Sequence, residues 1–372
     1  MQRFTLIDGL RGIAALLVVI GHLSLTVEST FSTQLPAFVN SLFKSGHWGV
    51  EIFFVISGFV IAHSVRKGTW TLRYLAEFAF RRSIRLDPPY WTVIAIEIVL
   101  IYLSLYFFPD LGTPIPTTAQ VAAHLIYMQE LLGLGHLLPI FWTLCYEVQF
   151  YLVLVGSLVL YTTIKSFKGD DSKLAFTTFS ILSIILFVIS LGIYLQMLPA
   201  SMPGLFIDRW HQFFLGAFAW WCSCSRGPRW LFILAWAFTL FSLFFAPESA
   251  DARVGSTLVI LCISMLVYAG ALTNNLARWL NSPVLLFMGS ISYGVYLVHL
   301  PIGWRLISLE QKLLGEDMSL TVASLALVSG IAISILAAWL LHIWIEQPSM
   351  NLSHRIKLDN DRTNANSTKE LK

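Results

Sequence analysis

The sequence predicts an all-α integral membrane protein: a bundle of about ten transmembrane helices with a basic helix lying along the cytoplasmic surface. Three observations carry that prediction. The 372 residues are 56% hydrophobic and only 12% charged, with a mean hydropathy of +0.72, outside the balance of a soluble domain. Apolar runs long enough to cross a bilayer recur through the whole chain. The basic residues concentrate in alternate connections between those runs.

At about 20 residues per crossing, spans fall at 8–28, 46–64, 89–108, 141–163, 174–195, 205–224, 230–246, 253–272, 284–305 and 319–345. The seventh is short enough to be tilted or partly re-entrant. With a cytoplasmic N-terminus, every Lys and Arg except Lys44, Arg209, Arg253, Arg305 and Lys312 falls on the inner side, as the positive-inside rule requires. Both termini are therefore expected in the cytoplasm, in a multi-pass protein of the plasma (inner) membrane. Residues 1–350 form the membrane domain, and 351–372 are a short polar tail, expected to be disordered. The first run is too long for a secretory signal and lacks a small-x-small cleavage pattern. Cys145, Cys222, Cys224 and Cys262 all lie within spans and read as packing residues, so no metal site is expected. The net charge of +3 suits anionic lipid headgroups and gives no case for nucleic acid. No internal repeat of the transporter kind is visible.

Polar groups inside the spans point to function, because ionisable side chains are costly in hydrocarbon. In the first span Arg11 and His22 are eleven residues apart, about three turns, so they share one face roughly 16 Å apart along the axis. From Leu72 to Leu86 the chain is basic and amphipathic; Arg82 and Arg85 are one turn apart, with Arg81 next to Arg85 on the helix surface. Guanidinium forks bind phosphate oxygens bidentately, although such arginines also serve topology and anionic lipid alone. Glu147 opens the fourth span. In the ninth, Ser292, Tyr296 and His299 fall within a narrow angle, either lining a cavity or making interhelical hydrogen bonds. Glu97 in the third span has no assigned partner.

Five motifs in order resemble the acyltransferase-3 family of membrane O-acyltransferases. They are Asp8-Gly9-Leu10-Arg11-Gly12 with His22; Gly49-Val50-Glu51-Ile52-Phe53-Phe54-Val55-Ile56-Ser57-Gly58-Phe59; Arg82-Ser83-Ile84-Arg85 leading to Pro88; Trp142-Thr143-Leu144-Cys145-Tyr146-Glu147; and Ser292-Tyr293-Gly294-Val295-Tyr296-Leu297-Val298-His299, closed by Glu346-Gln347-Pro348. Thr143 stands where the family commonly has Ser, and Asp87 where an apolar residue often precedes Pro. The resemblance implies an acyltransferase domain over residues 1–350 that moves an acyl group, acetyl foremost, from cytoplasmic acyl-CoA to a carbohydrate hydroxyl. The implied acceptor is a surface polysaccharide, such as lipopolysaccharide, or a lipid-linked glycan.

In that frame acetyl-CoA is the donor and no metal is needed. Arg11, Arg81, Arg82 and Arg85 would hold the CoA. His22 would act as general base or as an acyl-imidazole carrier, and Glu147 would orient it or hold the acceptor. Trp142, Tyr296 and His299 are substrate-binding candidates. A separate polysaccharide-assembly protein is a possible partner. The residues alone also allow a flippase or transporter of a glycan intermediate, or an acyltransferase for a small glycosylated metabolite.

Overall fold

A computed structural model gives the fold. It describes residues 4–66, 70–109, 114–167, 172–224, 228–315 and 318–356, without the side chains of 167 and 172–178. Among the described residues all regular structure is helical. The principal helices are α1 (Thr5–Ser24), α2 (Glu28–Gln34), α3 (Ala37–Lys44), α4 (Trp48–Ser64), α5 (Leu72–Phe107), α6 (Thr118–Leu125), α7 (Trp142–Phe167), α8 (Ser172–Tyr194), α9 (Trp210–Cys224), α10 (Arg229–Ser242), α11 (Asp251–Leu272), α12 (Pro283–Val298), α13 (Arg305–Leu314), α14 (Leu320–Leu341) and α15 (Gln347–Arg355).

Each of the ten expected spans has a helix, but not all have bilayer-spanning length. Seven described stretches are long and apolar enough: Thr5–Gln34, Ala37–Ser64, Leu72–Phe107, Pro139–Ser166, Glu248–Leu272, Pro283–Leu314 and Leu320–Arg355. The apolar part of α8, Phe179–Tyr194, and the stretch Arg229–Phe245 are shorter. α9 has 15 residues, about 22 Å of helix against a hydrocarbon core of about 30 Å.

Helix α1 runs through the middle, packed along both α4 and α12, while α4 also packs on α9 and α12 on α14. Small residues allow the close approaches, as expected where lipid gives no hydrophobic drive for helix association. A Cβ on Gly58 would sit 1.9 Å from the Phe213 carbonyl oxygen, and one on Gly216 would sit 1.8 Å from that of Val55. At the far end of α1, Gly21 lies against Gly46, whose Cα is 2.5 Å from where a Gly21 Cβ would be. Large apolar side chains such as Tyr106, Phe238, Phe244, Leu325 and Val328 point outward, the surface a hydrocarbon solvent requires.

Three local features depart from the sequence expectation. The basic segment is not a separate surface helix, because α5 continues for 36 residues through Pro88 and Pro89. Proline fixes a φ that a helix accepts, and Thr92 donates to the Pro88 carbonyl at 2.7 Å. Second, the connection from α5 to α7 folds into the bundle: His124 and Gln129 are fully buried, Tyr127 stacks on Tyr90 at 4.8 Å, and its hydroxyl donates to Asp87 at 2.9 Å. Third, the start of the polar tail is ordered. α15 packs on α5, where Arg81 reaches His354 at 3.3 Å, while 357–372 lie outside the described residues.

Candidate active site

A cavity of about 120 Å³ opens between α1, α4, α5, α7 and α12. Arg11, Arg82 and Arg85 face it from α1 and α5, with Glu147 from α7 and Glu346 from a π-helical turn, His342–Glu346, after α14. Arg82 lies over the Tyr151 ring at 4.7 Å. Among the described residues no carboxylate comes within ion-pair distance of these three arginines. Glu147 instead accepts from the Ser57 hydroxyl at 2.8 Å, and Ser57 lies 3.0 Å from the Tyr151 hydroxyl. His342 meets Glu346 at 2.8 Å. The cavity thus holds three cations whose donors make no hydrogen bond among the described residues, beside two carboxylates held by neighbours. Arg81, the fourth predicted anion ligand, does not line it and turns to His354.

His22 lies beyond this cavity. Its Nδ1 is 3.2 Å from Nε2 of His299. His299 is fully buried, and its own Nδ1 is 3.2 Å from the Val295 carbonyl. A carbonyl only accepts, so His299 carries its proton on Nδ1 and its Nε2 is the acceptor. His22 therefore donates from Nδ1, and its Nε2 keeps the free lone pair. This is the tautomer a general base needs, set by the neighbour of its other nitrogen.

The expected pairing of Glu147 with His22 is thus replaced by two separate couples, Glu147 with Ser57 and His22 with His299. Tyr296 belongs to both regions. It lines the cavity, its hydroxyl is 2.7 Å from Thr143 and 2.9 Å from the Ile140 carbonyl, and its ring centroid is 6.0 Å from that of His299. The polar stripe on α12 divides accordingly. Ser292 and Tyr296 line the cavity, whereas His299 begins a π-helical turn, His299–Trp304, that takes it to His22. Such turns frequently occur at functional sites. Trp142 is half-buried outside the cavity, edge-on to Phe54 and Tyr146, with the Arg209 guanidinium 5.2 Å above its ring.

A family model described as an acyltransferase domain matches residues 4–343. The chain belongs to the acyltransferase-3 family. Curated relatives of this acyltransferase-family chain include protein 2 in the picA locus of Rhizobium radiobacter, 36% identical over 118 residues, 31% of this chain and 53% of that protein. The peptidoglycan O-acetyltransferase OatA of Listeria monocytogenes is 29% identical over 168 residues, 42% of this chain and 24% of that one. The exopolysaccharide production protein ExoZ of Rhizobium meliloti is 32% identical over 123 residues, 32% of this chain and 36% of that one. The matches therefore span about half the length of these relatives or less. No solved structure matches the chain.

Several residues to which the sequence assigned no role line the candidate site. Ser57, Tyr151, Tyr293 and Glu346 line the cavity. Ser57, Tyr293 and Glu346 lie within the family motifs without a role attached to them, and Tyr151 was signalled only as a polar group inside an apolar run. Glu97 finds its partner in Arg305, which donates to it with both terminal nitrogens at 2.7 and 2.8 Å.

Proposed function

We propose that the protein is a membrane O-acyltransferase that moves an acetyl group from acetyl-CoA to a hydroxyl of a carbohydrate. One observation carries the donor side: Arg11, Arg82 and Arg85 turn into one cavity guanidinium groups that have no hydrogen bond or ion pair among the described residues. Desolvated cations without partners are costly, and a phosphate-bearing ligand supplies what they lack. Two relatives support the acceptor side, since one is named for peptidoglycan O-acetylation and another for exopolysaccharide production. In this reading the arginine cavity faces the cytoplasm, where CoA is made, and His22 the opposite surface, an orientation that the concentration of basic residues in alternate connections supports.

In the proposed reaction the arginines hold the CoA phosphates, and the thioester end passes Tyr296 toward His22. The His22 Nε2 takes the proton of the attacking hydroxyl while the oxygen adds to the thioester carbonyl. Collapse breaks the carbon–sulfur bond, and the CoA thiolate leaves with the proton returned by His22. His299 holds His22 in the accepting tautomer and shares the positive charge that develops.

The test is label transfer. Purified protein given acetyl-CoA labelled in the acetyl carbon, together with envelope glycans, should yield an alkali-labile glycan ester. Bound donor with no ester on any glycan fraction would overturn the proposal.

A further inference from the structure

The residues on the far side of His22 form a second polar cluster that the acyl-donor cavity does not use. His47 is exposed, its Nδ1 is 3.0 Å from the Lys44 carbonyl, and it lies within electrostatic range of both His22 and Glu51. Because the carbonyl accepts from Nδ1, the His47 Nε2 is left free. One turn on, Glu51 is only 6% exposed. Its Oε1 accepts from the Tyr194 hydroxyl at 3.4 Å, Ser256 stands beside it, and Oε2 has no hydrogen bond. Arg209 is held between two rings, 5.2 Å from the centroid of Trp142 and 5.0 Å from that of Tyr194. Among the described residues its N–H groups make no hydrogen bond or ion pair. Asp208, next in sequence, accepts from Ser201 at 2.5 Å and from Tyr146 at 3.5 Å.

This set mixes unspent donors and acceptors beside aromatic rings. It is neither a phosphate site, since Glu51 and Asp208 would repel an anion, nor a cation site, since Arg209 would repel a metal or an amine. A neutral, hydroxyl-rich ring suits it, because each sugar hydroxyl both donates and accepts. The buried Glu51 Oε2 is costly without a partner, the half-buried Arg209 has N–H donors to offer, and a polyol satisfies both. We infer that Glu51, Arg209 and His47 form the acceptor subsite, binding the hydroxyls of a neutral pyranose and bringing one of them to His22. The inference rests on the acyl-transfer proposal above. It adds the place and the chemical class of the acceptor contact.

Glu51→Gln and Arg209→Gln variants separate this subsite from the donor cavity. The probes are methyl α-pyranosides of glucose, galactose, mannose and N-acetylglucosamine, supplied at high concentration with labelled acetyl-CoA. Both variants should bind acetyl-CoA with wild-type affinity, which also reports that they are folded. Their KM for the pyranoside should rise about tenfold or more, the loss expected for a hydrogen bond to a charged group, and Arg209→Lys should recover part of it. Wild-type pyranoside KM in both variants would overturn the subsite. Transfer to none of the four glycosides while donor binds would overturn its neutral-sugar class. Failure of the wild-type protein to bind acetyl-CoA at all would instead sink the underlying acyl-transfer proposal.

Discussion

Arg305 grips Glu97 with both guanidinium nitrogens, at 2.7 and 2.8 Å, and so ties α5 to the helix that follows the π-helical turn bearing His299. Glu97 is 3% exposed, deep in the longest helix of the bundle. The pair is the strut behind the His22–His299 couple.

Removing one member of the strut leaves the other charge stranded. Arg305→Met should destabilise the protein by about 3 kcal/mol, the lower end for breaking a buried pair because Arg305 is partly exposed. The double variant Glu97→Gln with Arg305→Met should recover part of that loss. Thermal unfolding in detergent checks it: a double variant less stable than Arg305→Met would refute the pairing as the cause.

His22→Ala should lower acetyl transfer by at least about 100-fold, the usual contribution of a positioned base, and leave acetyl-CoA affinity unchanged. The donor cavity does not include His22. Scintillation binding and transfer assays on one preparation read both quantities, and transfer near the wild-type rate would remove His22 from the mechanism.

In the proposed mechanism His299 acts through His22 and not on substrate. His299→Leu should reduce kcat about 10- to 100-fold with little change in KM for acetyl-CoA, since the tautomer of His22 is then unset. Gln at 299 presents an amide oxygen that can accept the His22 proton, so His299→Gln should be the better enzyme. The pH–rate profile should also move with His299→Leu, as it would not for loss of packing alone. Equal damage from both substitutions would identify a packing role.

Arg82→Ala and Arg85→Ala should each raise the KM for acetyl-CoA more than they lower kcat, and the effect should be smaller with an acetyl thioester that lacks the nucleotide. Arg81→Ala should do much less, because that side chain faces His354 and not the cavity. A nucleotide-independent effect would argue that Arg82 and Arg85 serve only membrane insertion.

Much of the bundle was legible because it follows from one-dimensional quantities. Apolar length located a helix for each expected span, and the face shared by Arg11 and His22 followed from helical period alone. The rest depended on tertiary contacts between distant residues. Nothing near Glu97 announces Arg305, 208 positions later. Helical periodicity put Ser292, Tyr296 and His299 on one stripe, but the π-helical turn departs from that period at His299 and sends it to a different neighbour. Glu147 was legible as a site acid, whereas its partner, Ser57, required knowing how α4 meets α7. The segment between α5 and α7 is apolar, but His124, Gln129, Glu130, Gly133, Gly135 and His136 break it into runs too short to announce its insertion, yet Ile140 accepts from the cavity-lining Tyr296.

The turn from His299 to Trp304 amounts to one residue inserted into an otherwise regular helix. A helix advances about 100° and 1.5 Å per residue, so excising a single residue there would keep the span's hydrophobic length while rotating Arg305 about a quarter-turn away from Glu97. His299 and Arg305 then could not both keep their partners. Chain length across this turn therefore constrains the His22–His299 and Glu97–Arg305 couples as much as the identity of any side chain in it.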